Sequence, residues 1–124
     1  MFDAAIIGIG PAGLSAALNL KLHGKNFIWF GSERFSDKVE KSEKIANYPG
    51  FAMVSGRELN ERFAVQAEQM GLTVTDKMVT SIMAARSHYM LMAENEMYEA
   101  RTILLATGMA VSKEFSVDIR NTFF

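Results

Sequence analysis

The stretch Asp3-Ala4-Ala5-Ile6-Ile7-Gly8-Ile9-Gly10-Pro11-Ala12-Gly13 decides the fold. Its first half is a short, continuous apolar run, the pattern of a strand covered on both faces, as in a parallel sheet. Its second half is a turn with glycine at positions 8, 10 and 13. Pro11 sits where a first helical turn accepts proline. Leu14, Ala17, Leu18 and Leu22 follow at helical spacing, with Asn19, Lys21 and His23 on the other side. A helix over Pro11–His23 is expected, with Gly24 as its C-cap. Asn26–Phe30 then reads as a second buried strand. Strand, glycine turn, helix and strand in this order make one βαβ unit of about 30 residues.

Each glycine of the turn has its own reason. Gly8 permits a tight turn off the strand, Gly10 lets backbone approach a pyrophosphate, and Gly13 lets the helix pack close to the sheet. Amides at the start of the helix face such an anion, helped by the helix dipole. The spacing alone is weak; its place between a strand and a helix, with a second strand following, points to dinucleotide binding. A glycine turn used only for packing is the bland alternative. An acid is expected about 20 residues after the turn, to hold a ribose. Glu33 lies 20 residues past Gly13, but Gly31 occupies the place where an acid would follow the strand. Glu33 is either a ribose ligand or a solvated loop acid.

Further along, Ser32–Val54 has no clean period, and a connection of that length is usually functional or mobile. Ser55-Gly56-Arg57-Glu58 has capping-box spacing, and Leu59, Phe63, Ala67 and Met70 continue as a helical stripe up to Gly71. Leu72–Thr75 is a short strand candidate. Met78–Ala84, Tyr89–Glu94 and Met97–Ala100 read as an antiparallel meander, and Thr102–Thr107 as another buried strand ending at Gly108. Residues 109–124 show little order. The fold class expected is α/β: a Rossmann-like dinucleotide domain with a parallel sheet, helices and a small antiparallel β-meander, over residues 1–108, followed by an irregular tail over 109–124.

Composition narrows the function. The 124 residues carry 13 Lys+Arg against 14 Asp+Glu, a net charge of −1. That balance argues against a nucleic-acid reader, which shows a basic face. There is no cysteine, so no thiolate metal site, disulfide or Cys-based redox centre lies in this stretch. Two histidines are too few for a metal cluster, and no metal site or catalytic residue is assigned. Asp3 stands where a secretory signal would carry a base, and the apolar runs are too short or too interrupted to span a bilayer. A cytoplasmic protein without membrane contact is the default expectation. His23 and His88 read as surface histidines, Trp29 and the phenylalanines as core. The nine methionines read as adaptable packing. Tyr48 either borders a ligand or anchors the long loop.

Taken together, Gly8–Gly13, Asn47-Tyr48-Pro49-Gly50-Phe51, Ser55–Leu59 and Ile103–Gly108 occur in the order seen in thioredoxin-reductase-like flavoproteins. The chain resembles the first segment of the FAD domain of these pyridine nucleotide–disulfide oxidoreductases over about residues 3–109. The resemblance implies that Gly8, Ile9, Gly10, Pro11, Ala12 and Gly13 cradle the FAD pyrophosphate. It places Gly31, Ser32 and Glu33 by the adenosine ribose, Asn47 on the flavin side and the backbone of Val79 by the adenine. Ala106, Thr107 and Gly108 would pass near the cofactor. Ser36-Asp37-Lys38 stand where the standard branch has a Gly-Gly-Gln-type stretch; Lys38 either approaches the isoalloxazine or is a solvated loop lysine. The loop is more similar to the branch with ferredoxin-linked and atypical reductases. The family continues into an NADPH domain with a Cys-x-x-Cys pair and a second FAD segment, neither of which is in these residues. A truncated, FAD-binding segment that cannot reduce disulfides alone is therefore the expectation. Two other readings stay open: a non-catalytic fragment that self-associates or pairs with a complementing chain, and an NAD-binding Rossmann domain.

Overall fold

A computed structural model describes residues 1–31, 37–108 and 116–118. The expected βαβ unit is present as β1 (Phe2–Ile7), α1 (Pro11–Leu22) and β2 (Phe27–Phe30). β1 and β2 run parallel, with Ala4 opposite Phe27 and Ile7 opposite Phe30. A short α2 (Asp37–Glu40) and a longer α3 (Gly56–Gln69) follow, then β3 (Val79–Ala84), β4 (Tyr89–Ala93), β5 (Glu96–Leu105) and β6 (Ser116–Asp118). All six strands belong to one sheet, ordered β2-β1-β5-β4-β3-β6.

β5 corrects the strand reading. Met97–Ala100 and Thr102–Leu105 are not two strands but parts of one ten-residue strand, and Ala106 and Thr107 lie beyond its end. Its first half pairs antiparallel with β4, Met97 opposite Met92 and Ala100 opposite Tyr89. Its second half pairs parallel with β1, Ile103 opposite Ala5 and Leu105 opposite Ile7. Leu72–Thr75 is likewise not a full strand: only Thr75 bridges to Phe30. Ser116–Asp118, inside the stretch read as an irregular tail, pair parallel with Ser81–Met83.

The sheet does not lie flat. Thr75 sits on the outer edge of β2, its N–H donating to the Trp29 carbonyl at 2.7 Å. Four residues on, Val79 already pairs with Ala93 in the meander. Four residues reach at most about 14 Å. In a flat sheet β2 and β3 would be four strand spacings apart, about 19 Å. The meander is therefore folded across the parallel strands, and the rings of Phe30 and Tyr98 meet edge to face at 5.1 Å.

β1 is thus covered on both faces, as its unbroken apolar run predicts. Ala5, Ile7 and Phe30 share a core with Val79, Ile82, Leu91 and Ala93 of the meander. Ile6 and Trp29 point the other way, into a core with Leu14 and Ala17 of α1 and Leu59 and Phe63 of α3. Ile6, Trp29 and Phe30 are at most 1% exposed; burying each large side chain contributes about 1.5–3 kcal/mol. The helix layer is fixed by two further devices. Ser55 caps α3, its Oγ accepting from the Glu58 amide at 3.1 Å. Gly56 meets α2 at bare backbone: its N–H donates to the Ser42 carbonyl at 2.7 Å, and a Cβ there would overlap the Val39 carbonyl oxygen.

Candidate dinucleotide site

The glycine turn connects β1 to α1 at the carboxyl ends of the three parallel strands β1, β2 and β5. The chain goes from β1 to β2 on one side and later returns to β5 on the other. Such a reversal of strand order is where open α/β sheets place their ligands. Backbone bonds hold the three ends together: the Gly8 N–H donates to the Phe30 carbonyl at 3.0 Å, and the Ala106 N–H to the Ile7 carbonyl at 2.8 Å.

The glycines are needed for close approach. Gly8 has φ +120, a conformation open to glycine and strained for other residues. A Cβ on it would overlap the Ala106 carbonyl oxygen and lie 3.0 Å from the Thr107 nitrogen. A Cβ on Gly13 would overlap the Gly8 carbonyl oxygen. That same oxygen accepts the indole N–H of Trp29 at 2.7 Å. Gly8, Gly13 and Trp29 therefore form one packed knot, and Ala106–Thr107 close against it.

Gly10 is the N-cap of α1, in extended conformation (φ −77, ψ −172), and no side chain caps this end. The first helical hydrogen bond runs from the Leu14 N–H to the Gly10 carbonyl at 3.0 Å. Pro11 has no N–H, and the amides of Ala12 and Gly13 precede any intrahelical acceptor. The first turn holds no acidic side chain. Backbone donors and the positive end of the helix dipole thus point beyond the strand ends with no acidic side chain in the helix's own first turn, an arrangement that suits an anion. These residues fit a pyrophosphate-bearing dinucleotide.

The remaining expected residues divide. Gly31 follows β2 and lies against Ile9; a Cβ there would come within 2.9 Å of the Ile9 Cβ. That contact explains a glycine where an acid is usual. Ser32 and Glu33 lie outside the described residues. Lys38 belongs to α2, and its side chain is outside what is described. Asn47 is exposed, on a loop pinned by the Ile45–Val54 bridge. Tyr48 anchors that loop: its ring lies 5.6 Å from Phe63 and 6.3 Å from Phe51. Val79 opens β3 with its side chain buried in the core that also holds Phe30 and Ile7. Thr107 and Gly108 are exposed beyond β5. The structure brings Gly8–Gly13, Gly31 and Ala106–Thr107 together; the described contacts of the turn do not include Asn47 or Val79.

Trp29 is the residue the sequence reading undervalued. It is core, as expected, but its N–H also orients the turn. The available signal was that a buried indole N–H needs an acceptor. Among the described residues the shifted titratable groups lie elsewhere, on and next to the meander. The Lys77 ammonium bonds Glu96 at 2.7 Å and the Tyr98 hydroxyl at 3.0 Å. The carboxylate raises the lysine above its ordinary range, and the hydrogen bond from Lys77 holds Glu96 below its own. A cleft of about 370 Å³, lined by Lys21, Lys25, Phe27 and Thr73, lies at the amino end of β2, away from the turn. Among the described residues no group of three or more His, Cys, Asp or Glu is placed to hold a metal. No described helix is long and apolar enough to cross a membrane.

Several known proteins are similar to this chain in sequence and in fold. The thioredoxin reductase of Helicobacter pylori strain J99 is 35% identical over 111 residues, covering 87% of this chain and 36% of the relative. A crystal structure of a ferredoxin-flavin thioredoxin reductase from Clostridium acetobutylicum superposes with a TM-score of 0.85 at 42% identity, over 90% of this chain and 39% of that one. The atypical thioredoxin reductase TRi of Desulfovibrio vulgaris Hildenborough gives 0.76 at 35% identity, over 91% and 38%. The chain thus spans somewhat over a third of the length of these relatives. The family model described as pyridine nucleotide-disulphide oxidoreductase matches residues 2–122. With the turn, the strand order and this match agreeing, the chain belongs to the pyridine nucleotide-disulphide oxidoreductase family.

Proposed function

We propose that residues 1–108 form the ADP-binding side of an FAD site in an oxidoreductase of the thioredoxin-reductase kind. The observation that carries this reading is the Gly8–Gly13 knot at the amino end of α1, uncapped by any side chain and set at the carboxyl ends of the parallel strands. The Ala12 and Gly13 amides receive the pyrophosphate, and Gly10 presents no Cβ against it. Gly31, Ser32 and Glu33 serve the ribose, the Val79 backbone the adenine, Asn47 and Lys38 the flavin side, and Ala106–Gly108 flank the cofactor. When bound, FAD supplies the electron-transfer chemistry, while protein groups position and tune it. The chain has no cysteine, so thiol–disulfide exchange is not chemistry of these residues. The electron donor and the disulfide substrate belong to the whole protein.

The test is reconstitution with FAD followed by gel filtration, reading flavin absorbance in the protein peak. Retention at micromolar FAD is expected. Gly10→Val should weaken it at least tenfold with the circular dichroism spectrum unchanged. A folded Gly10→Val variant that keeps FAD as the parent does would refute the site. NAD displacing FAD at comparable concentration would favour the NAD-binding reading. A second reading, a fragment that self-associates or pairs with another chain, draws support from Leu105, which ends β5 at 56% exposure. Light scattering over a concentration series checks it, and a clean monomer throughout counts against it.

A further inference from the structure

The meander has a second face, turned away from the core, that the dinucleotide site does not use. Side chains alternate between the faces of a sheet, and residues opposite one another share a face. Ile82, Leu91 and Tyr98 form one cross-strand row, and it points inward, with Leu91 fully buried and Tyr98 against Phe30. The neighbouring rows therefore point outward. They are Met83–Met90–Glu99 and Ser81–Met92–Met97. One step further, past the Ala84–Tyr89 pair, His88 joins the same face, its Nε2 3.7 Å from the Glu99 carboxylate.

Four of the nine methionines thus converge on the outer face of three adjacent strands. Met83 and Met90 are directly opposite, as are Met92 and Met97, which brings their Cβ atoms to about 4.5–5.5 Å. Met90 and Met92 stand two apart on the central strand and join the two pairs. Met83 and Met97 are 42% and 50% exposed, so this face is open to solvent at its two outer strands. Thioether sulfur is a soft donor that selects Cu(I) over hard cations. A chain without cysteine offers soft metals no thiolate to compete.

The geometry points to a binding site for a soft monovalent d10 cation, Cu(I), on this face. Met83, Met90 and Met92 supply thioethers, and the Glu99 carboxylate opposite Met90 balances the charge nearby. Met97 extends the donor set at the far end. The site is independent of the FAD reading.

The test is an anaerobic titration of the full chain with Cu(I) held by a chromophoric chelator. One equivalent should transfer to the protein. Met90→Leu/Met92→Leu conserves volume and apolar character while removing the two central sulfurs; it should weaken transfer at least tenfold. Met53→Leu/Met78→Leu, two exposed methionines off these rows, should leave it unchanged. No transfer to the parent, or equal transfer to the Met90→Leu/Met92→Leu chain, overturns the proposal. Should that variant fail to fold, the parent decides the matter through its methionine methyl resonances. Ag(I), a redox-inert stand-in, should move those of Met83, Met90, Met92 and Met97 and leave Met1, Met53 and Met78 in place. Shifts of equal size at the scattered methionines would overturn it.

Discussion

Gly13→Ala sets helix propensity against close packing, and the structure decides the sign. Gly13 lies in the first turn of α1 and is buried. Alanine in a helix is favoured over glycine by up to about 1 kcal/mol. The new Cβ, however, overlaps the Gly8 carbonyl oxygen and sits 2.9 Å from its carbon and 3.3 Å from the Trp29 Nε1. All three neighbours are backbone or a fully packed indole, so none can yield cheaply. Overpacking of this kind costs about 1–3 kcal/mol. Displacing the Gly8 carbonyl also breaks its bond from Trp29, and an orphaned buried donor costs about 1–3 kcal/mol more. The net change is a loss of about 1–5 kcal/mol, a large part of a typical 5–15 kcal/mol. A mid-range loss of about 3 kcal/mol lowers a urea midpoint by about 1.5 M at a slope near 2 kcal/mol/M. The chain has one tryptophan, Trp29 itself, so its emission reports both the unfolding midpoint and the broken bond. Gly13→Ala with a midpoint equal to or above that of the parent would refute the packing argument.

Other outcomes follow from the same geometry. Gly56→Ala places a Cβ on the Val39 carbonyl and should cost more than about 2 kcal/mol; hydrogen exchange should accelerate first at Ser42 and Gly56, and unchanged protection there would contradict it. The Lys77–Glu96 pair makes stability pH-dependent at both ends. Glu96 is depressed below its ordinary 4.5, chiefly by the hydrogen bond from Lys77 and then by that from Tyr98. Its contribution is therefore full above 4.5 and is lost as pH falls through the lower folded value. Lys77 is raised above its ordinary 10.5 by Glu96 first and Tyr98 second, so its contribution is full below 10.5 and is lost on the alkaline side. The stability difference between parent and Glu96→Gln should shrink as urea titrations move from neutral pH toward 3, and a constant difference would dismiss the pair. Glu96 is exposed while Lys77 is partly covered, so added salt should shrink it too.

The layout of the site was legible where one residue type had one physical reason. Gly8 and Gly13 announce themselves because only hydrogen fits beside Ala106 and Gly8. β1 could be read from its unbroken apolar run because both its faces are covered. β5 could not. Its exposed Glu99, Arg101 and Thr102 look like a break in sequence, yet one strand runs through them and changes partner from β4 to β1. Periodicity records which face is buried, not which strand lies alongside. Gly31 was legible as a departure but not as a cause, because its reason is the Ile9 side chain folded against it. α2 has only four residues, too few to show a period. β6 has three and draws its ladder from the edge of β3.

The double duty of β5 also sets the order of events during synthesis. β1 is made well before β5, and the edge that β5 will fill stays empty until a partner about 100 residues later has emerged, since Phe2 pairs with Ala100 and Ile7 with Leu105. At about 5–20 residues per second, that is a delay of about 5–20 s. For that time Ile6 and Ile7 lack one strand neighbour, and an open apolar edge invites pairing with other chains. A nascent chain stalled anywhere between α3 and the end of β4 would carry a nearly complete helix layer over a sheet that still lacks its central strand.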